Sequence, residues 1–190
     1  LMPGRRQVRL RGLHRQDKTD ESAAFGDRCS LNLSGDIEQS LVSRGDWITS
    51  HPNLPVSRRM DVELGLLSSE SNPLKTGTPI HIHIGAQHTT GRVFLLEQRH
   101  LTPSSTALAQ IVTEAEVSSC FGDRIVIRDQ TASRTLGGGR VIDPFFVLKG
   151  RSKPERIELL GFLKTHYPYS NTNRGDSANN SDTPIVDQAL

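Results

Sequence analysis

His81, His83 and His88 come first among the residues of this chain that could do chemistry, because imidazole both binds metals and titrates near neutrality. On a strand, His81 and His83 share a face and His88 could return beside them. No cysteine or carboxylate completes a ligand set at metal-binding spacing, so outward-facing strand histidines without a metal are the expected arrangement. Arg128, Arg134 and Arg140 surround Thr135-Leu136-Gly137-Gly138-Gly139, a run that could cradle a phosphate if a helix followed. Val141, Ile142, Phe145 and Phe146 continue the chain as a strand pattern instead, so these glycines are expected to allow a bulge or sharp bend. Arg44 precedes Gly45-Asp46, and the bland reading is a turn closed by an Arg44–Asp46 ion pair. Arg9, Arg11, His14 and Arg15 form a basic strip. Strand alternation predicts Arg9 and Arg11 on one face, opposite Val8 and Leu10, where they could meet phosphates or simply face solvent. No serine stands in a nucleophile-elbow context, and Asp27, Asp123 and Asp129 lie in turn sequences, so no catalytic residue is expected.

The elements that must position these groups are strands. Ile80, Ile82 and Ile84 alternate with His81 and His83, and Leu31 and Leu33 alternate with Asn32 and Ser34. Further period-two patterns predict strands at 60–67, 92–96, 107–112, 124–128 and 139–146. Turn formers such as Ser34-Gly35-Asp36, Ser71-Asn72-Pro73, Thr102-Pro103-Ser104 and Phe121-Gly122-Asp123 separate them. Many short strands divided this way predict a mainly β barrel or sandwich. Helical spacing follows only after Lys153-Pro154, where Ile157, Leu160 and Leu163 fall on one face.

Composition narrows the classes. The chain has 190 residues, a hydrophobic fraction of 34% and a formal net charge of +2, so any nucleic-acid contact must come from local patches. Cys29 and Cys120 are too far apart in sequence for a zinc ribbon and too few for a disulfide framework. No apolar run spans a bilayer and the first residues have no apolar leader, so no membrane partner and a cytoplasmic location are expected. Pro52 and Pro55 mark an extended link, dividing the chain into 1–50, 56–148, 149–169 and a tail, 170–190, too polar to fold. Fifty residues are few for a barrel, and the first piece reads as the back part of a larger one.

Taken in order, several segments resemble bacterial selenocysteine-specific elongation factors of the SelB family. Residues 8–16, with Leu13-His14-Arg15-Gln16, and the Gly26-Asp27-Arg28-Cys29-Ser30-Leu31-Asn32-Leu33-Ser34-Gly35 stretch are similar to that family's second domain. Arg44-Gly45-Asp46-Trp47 is similar to the turn closing it. Pro79-Ile80-His81-Ile82-His83, Thr90-Gly91-Arg92-Val93, Gly122-Asp123-Arg124-Ile125-Val126-Ile127 and Gly137-Gly138-Gly139-Arg140-Val141 follow the family's third domain. Lys153-Pro154-Glu155 is similar to the entry into its first winged helix.

The resemblance implies an EF-Tu-like Greek-key barrel (domain III) at 56–148, preceded by a partial domain II barrel at 1–50 and followed by the start of a winged-helix domain at 149–169. It implies that Arg44 lines the pocket for the selenocysteine side chain of selenocysteyl-tRNA. A guanidinium there would favour an ionised selenol over a neutral hydroxyl. Arg9, Arg11, His81, His83, Arg128, Arg134 and Arg140 would contact tRNA. The implied partners are selenocysteyl-tRNA, the ribosome, and the factor's own G domain and winged-helix domains, with the mRNA hairpin reached only through the latter. The sequence contains neither a Gly-x-x-x-x-Gly-Lys-Ser/Thr loop nor an Asn-Lys-x-Asp element. No cofactor is therefore expected in this chain, and GTP and Mg2+ would belong to a G domain elsewhere. Two other readings stand beside this one, a structural or protein-interaction β module and part of a general EF-Tu-like factor.

Overall fold

A computed structural model of the chain describes residues 1–15, 18–24, 26–35, 37–50, 54–145 and 149–166. The strands are β1 Val8–Arg15, β2 Lys18–Asp20, β3 Cys29–Gly35, β4 Val56–Leu66, β5 Leu74–Lys75 and β6 Pro79–Ile84. They continue as β7 Gln87–Leu95, β8 His100–Leu101, β9 Thr106–Ser118, β10 Arg124–Arg128 and β11 Thr135–Asp143, and helix α1 Pro154–His166 follows. The fold is mainly β, as the alternation predicts. Strand β10 has the predicted bounds, whereas β4, β7, β9 and β11 begin earlier than predicted. The first half of the Pro52–Pro55 link, the final residue of the 139–146 strand and the 170–190 tail lie outside the described residues.

Six strands close into an antiparallel barrel in the order β10-β11-β4-β9-β7-β6. Closure sends every second side chain inward. Ile80, Ile82 and Ile84 of β6 meet Met60, Val62 and Leu64 of β4, Ile111 of β9, and Ile125 and Ile127 of β10 in one buried core. A shift of register between Ile127 and Arg128 makes the bulge expected near the glycines. The glycines themselves serve close packing. A Cβ on Gly138 would come within 2.7 Å of the Ile125 carbonyl, and one on Gly137 or Gly139 would collide with the Gly65 or Glu63 carbonyl.

Helix α1 lies against the outside of this barrel. Leu160 is buried with Leu96, Leu108 and Ile142, with Ile157 and Leu163 packed beside them. Beneath the helix, Arg156 donates from Nε to Asp61 at 3.0 Å and from Nη2 to Asp143 at 2.8 Å, and Gln110 Nε2 donates to Asp61 at 3.0 Å. Asp61 is fully buried, and burial pushes its carboxyl up against the opposing pull of Arg156 and Gln110. Farther along the helix, Lys164 donates to Glu63 at 2.6 Å while Arg140 holds the other Glu63 oxygen at 3.0 Å. Burial raises the Glu63 carboxyl, but Lys164 and Arg140 together outweigh it and the net shift is downward. A buried carboxylate needs such partners to remain charged. The helix is in this sense part of the barrel's packing.

The first residues form a separate, open sheet, β2-β1-β3. Its register pairs Leu10 with Leu33 and Leu13 with Leu31, so the leucines share one face. That face stays open among the described residues, with Leu10 at 50% relative exposure.

Candidate functional site

The predicted contact residues fall into three places. The first is the outer barrel wall made by β6 and β10. Register sets His81 opposite Arg128 and His83 opposite Val126, because Ile82 and Ile127 turn inward between them. His81 Nε2 lies 3.1 Å from the Gln130 carbonyl oxygen. On the other side His83 faces His88 of β7, their rings stacked at a centroid distance of 5.8 Å. The expected return of His88 is therefore met, yet no group of three metal-ligating side chains gathers among the described residues. Burial, helped by the charges of His88, Arg128 and His81, pushes the His83 imidazole below its ordinary value. His83 Nε2 and Arg128 Nε are buried without a hydrogen-bond partner among the described residues. This wall thus sets Arg128 beside imidazoles, one of which burial biases toward its neutral form.

Arg134 and Arg140 stand apart from that wall centre. Arg134 pairs with the buried Glu70 at 3.1 Å, over a 330 Å³ groove lined by Leu66, Leu74, Pro79 and Leu136 among others. Arg140 is engaged by Glu63, on the side of the barrel that meets α1. Sequence spacing placed the three arginines around one glycine run, but Arg128 ends β10, Arg134 lies in the connection before β11 and Arg140 lies within β11, each with different neighbours.

The second place is β1. The register shift between Leu10 and Gly12 makes Arg11 an extra residue in the strand. Simple alternation does not carry through it. Even so, Arg11 Nε donates to Ser34 Oγ at 2.8 Å, and Ser34 is the partner of Arg9, so both arginines serve the same exposed face.

The third place is the Ser43–Trp47 turn. Arg44 is exposed. Asp46 accepts the Ser43 N–H at 2.9 Å and its own N–H donates to the Ser43 carbonyl at 3.1 Å. The bland reading had Asp46 as the partner of Arg44; the carboxylate instead caps the turn. Trp47 exchanges two backbone hydrogen bonds with Met2, at 2.8 and 2.9 Å. Gly45 has a φ of +97° and touches the backbone of Gln87, at the start of β7 and next to His88. Gln87 was not anticipated from sequence, because nothing in a lone glutamine at a hairpin end signals a contact with a segment some forty residues earlier.

The closed six-stranded barrel with a helix on its flank defines a β-barrel domain of the EF-Tu-like type. Residues 59–146 match the family described as "Selenocysteine-specific elongation factor, beta-barrel domain", so the closed barrel is similar to that domain. The chain is 36% identical over 82% of its length to the selenocysteine-specific elongation factor of Escherichia coli, covering 24% of that protein. It is 33% identical over 76% of its length to the one from Desulfomicrobium baculatum, covering 23% of it. The Haemophilus influenzae factor is 29% identical over 72% of the chain, which covers 22% of that protein. The chain thus spans about a quarter of the length of the curated relatives it matches. No helix among the described residues is long and apolar enough to cross a membrane.

Proposed function

We propose that this chain is the part of a selenocysteine-specific elongation factor that holds selenocysteyl-tRNA, with Arg44 facing the aminoacyl group. The observation that carries this reading is the exposed Arg44 on a turn whose own acid, Asp46, is committed to the backbone. A guanidinium so presented favours an anionic selenolate over a neutral hydroxyl, because the wrong group leaves the charge unmatched. The β6–β10 wall, with Arg128, His81 and His83, supplies tRNA backbone contacts, joined by Arg9 and Arg11 from the first sheet and by Arg134 and Arg140 nearer the groove and helix. Such contacts position the RNA without reading its sequence. In this reading GTP and Mg2+ bind a G domain elsewhere in the full-length protein. Ribosome and mRNA-hairpin contacts involve other domains, and the protein works in the cytoplasm.

The test is Arg44→Ala in the full-length protein, with affinities measured for selenocysteyl-tRNA and seryl-tRNA. We expect the preference for the former to fall by about tenfold or more, the scale of one lost charge-matched contact. Equal weakening toward both tRNAs would remove Arg44 from the pocket. For the wall, Arg128→Glu should weaken tRNA binding and lower the salt slope by about one. An unchanged slope would place Arg128 outside the interface.

A further inference from the structure

The turn that carries Arg44 is stiff in itself, bound by the reciprocal Ser43–Asp46 contacts and by the Trp47–Met2 bridge. Its backbone meets the barrel at Gly45, where a Cβ would lie 2.6 Å from both Cα and Cβ of Gln87 and 2.8 Å from its nitrogen. Ordinary contact is 3.4–4 Å, so even a methyl group there forces a retreat of about 1 Å. The positive φ of Gly45 adds a second reason for glycine. Gln87 is itself held from both sides of its strand. It pairs with Ile84 of β6, and its Nε2 donates to the Glu116 carbonyl of β9 at 3.1 Å. Its Oε1 is buried without a hydrogen-bond partner among the described residues, a cost the fold accepts to keep this side chain in place.

We propose that Gly45 and Gln87 form a seat through which the barrel sets the position of Arg44, so that Gln87 is a positioning residue for aminoacyl selectivity. This rests on the pocket reading of Arg44 given above. Because the turn is internally braced, displacement at Gly45 passes directly to Arg44, its chain neighbour. Binding groups that act through matched geometry are sensitive to shifts on this scale, and a 1 Å misplacement can cost up to about a hundredfold. Selectivity then depends on two units of the fold at once, the turn that supplies the charge and the barrel hairpin that aims it.

Trp47 is the single tryptophan of the chain and lies in the same turn, which gives the seat a spectroscopic readout. In the 190-residue chain, Gly45→Ala should raise acrylamide quenching of Trp47 by about twofold as the turn lifts away from the barrel. Gln87→Ala, which removes only the amide tether, should have a smaller effect in the same direction. It serves as the second variant should Gly45→Ala not fold. Unchanged quenching in both variants overturns the seat. In the full-length protein, Gly45→Ala should then lower the preference for selenocysteyl- over seryl-tRNA by about tenfold, while seryl-tRNA affinity stays within about twofold. Selectivity lost in Arg44→Ala but intact in Gly45→Ala would show that the seat does not aim the arginine. If Arg44→Ala itself leaves the ratio unchanged, the pocket reading falls and takes the selectivity claim with it. The Trp47 quenching still decides separately whether the seat exists.

Discussion

Strands β6 and β3 carry the same alternating pattern and meet different fates. In β6, Ile80, Ile82 and Ile84 are sealed inside a closed barrel, while in the first sheet Leu31 of β3 and its neighbour Leu10 of β1 remain partly open. Period-two spacing states which side chains share a face, but whether that face is covered depends on what closes over it. The barrel closes on itself and then takes α1 as a further cover. The open sheet has three strands and no cover of its own among the described residues. Stability should therefore reside in the barrel with its helix, and the first sheet should contribute little.

The largest effect is expected where the barrel depends on its helix. Arg156→Met leaves Asp61 and Asp143 buried side by side without their cation, and losing one partner of a buried ion pair costs about 3–5 kcal/mol. Urea denaturation should record that loss, and adding Asp61→Asn should restore part of it. A cost of the Arg156 change below about 1 kcal/mol would mean that the helix is only resting on the barrel.

Next in size is the direct contrast of the two regions. Ile111→Ala empties a fully buried position and should cost about 2–5 kcal/mol. Leu10→Ala, at half exposure, should stay within about 0.5 kcal/mol. Equal costs would show that the leucine face is covered after all and would erase the distinction between the two units.

The barrel strands were the most legible part of the chain. Ile80, Ile82 and Ile84, and Ile125 with Ile127, announce their faces by alternation, and β10 appears where the pattern puts it. Strands β4 and β9 were read short at the ends where they pair, because a register shift between Ser57 and Arg59 breaks the alternation there. Within the predicted part, Asp61 looks like a solvent-facing position until Arg156 of α1, 95 residues away, and Gln110 of β9 donate to it. The site was legible in its residue types and less so in its grouping. Arg128 and His81 come together through register, but Arg134 and Arg140 are drawn off by Glu70 and Glu63. Carboxylate partners chosen by tertiary contact leave no mark in local spacing.

The smallest predicted effect concerns pH and separates the wall from the helix seam. His83 has its imidazole held below the ordinary value, first by burial and then by His88, Arg128 and His81. The unfolded chain takes up this proton as pH falls through its ordinary value of 6.5, while the folded chain resists it. Unfolded molecules then bind more protons, so stability falls on acidification from that point and is fully kept above it. Glu63 behaves differently in range. Its net downward shift, with Lys164 and Arg140 outweighing burial, gives stability above the ordinary value of 4.5 that is lost only at lower pH. As pH is lowered between these two values, urea midpoints should therefore fall more in the wild-type chain than in His83→Gln. The raised carboxyls of Asp61 and Asp123 work in the opposite sense in both chains, while Glu63→Gln leaves that difference in place. If His83→Gln keeps the full slope, another group titrates there and the His83 imidazole is not the source of the wall's pH response. If Glu63→Gln removes it, the seam under α1 responds to pH in the range assigned to the histidine wall, and the two regions are coupled more closely than their geometry implies.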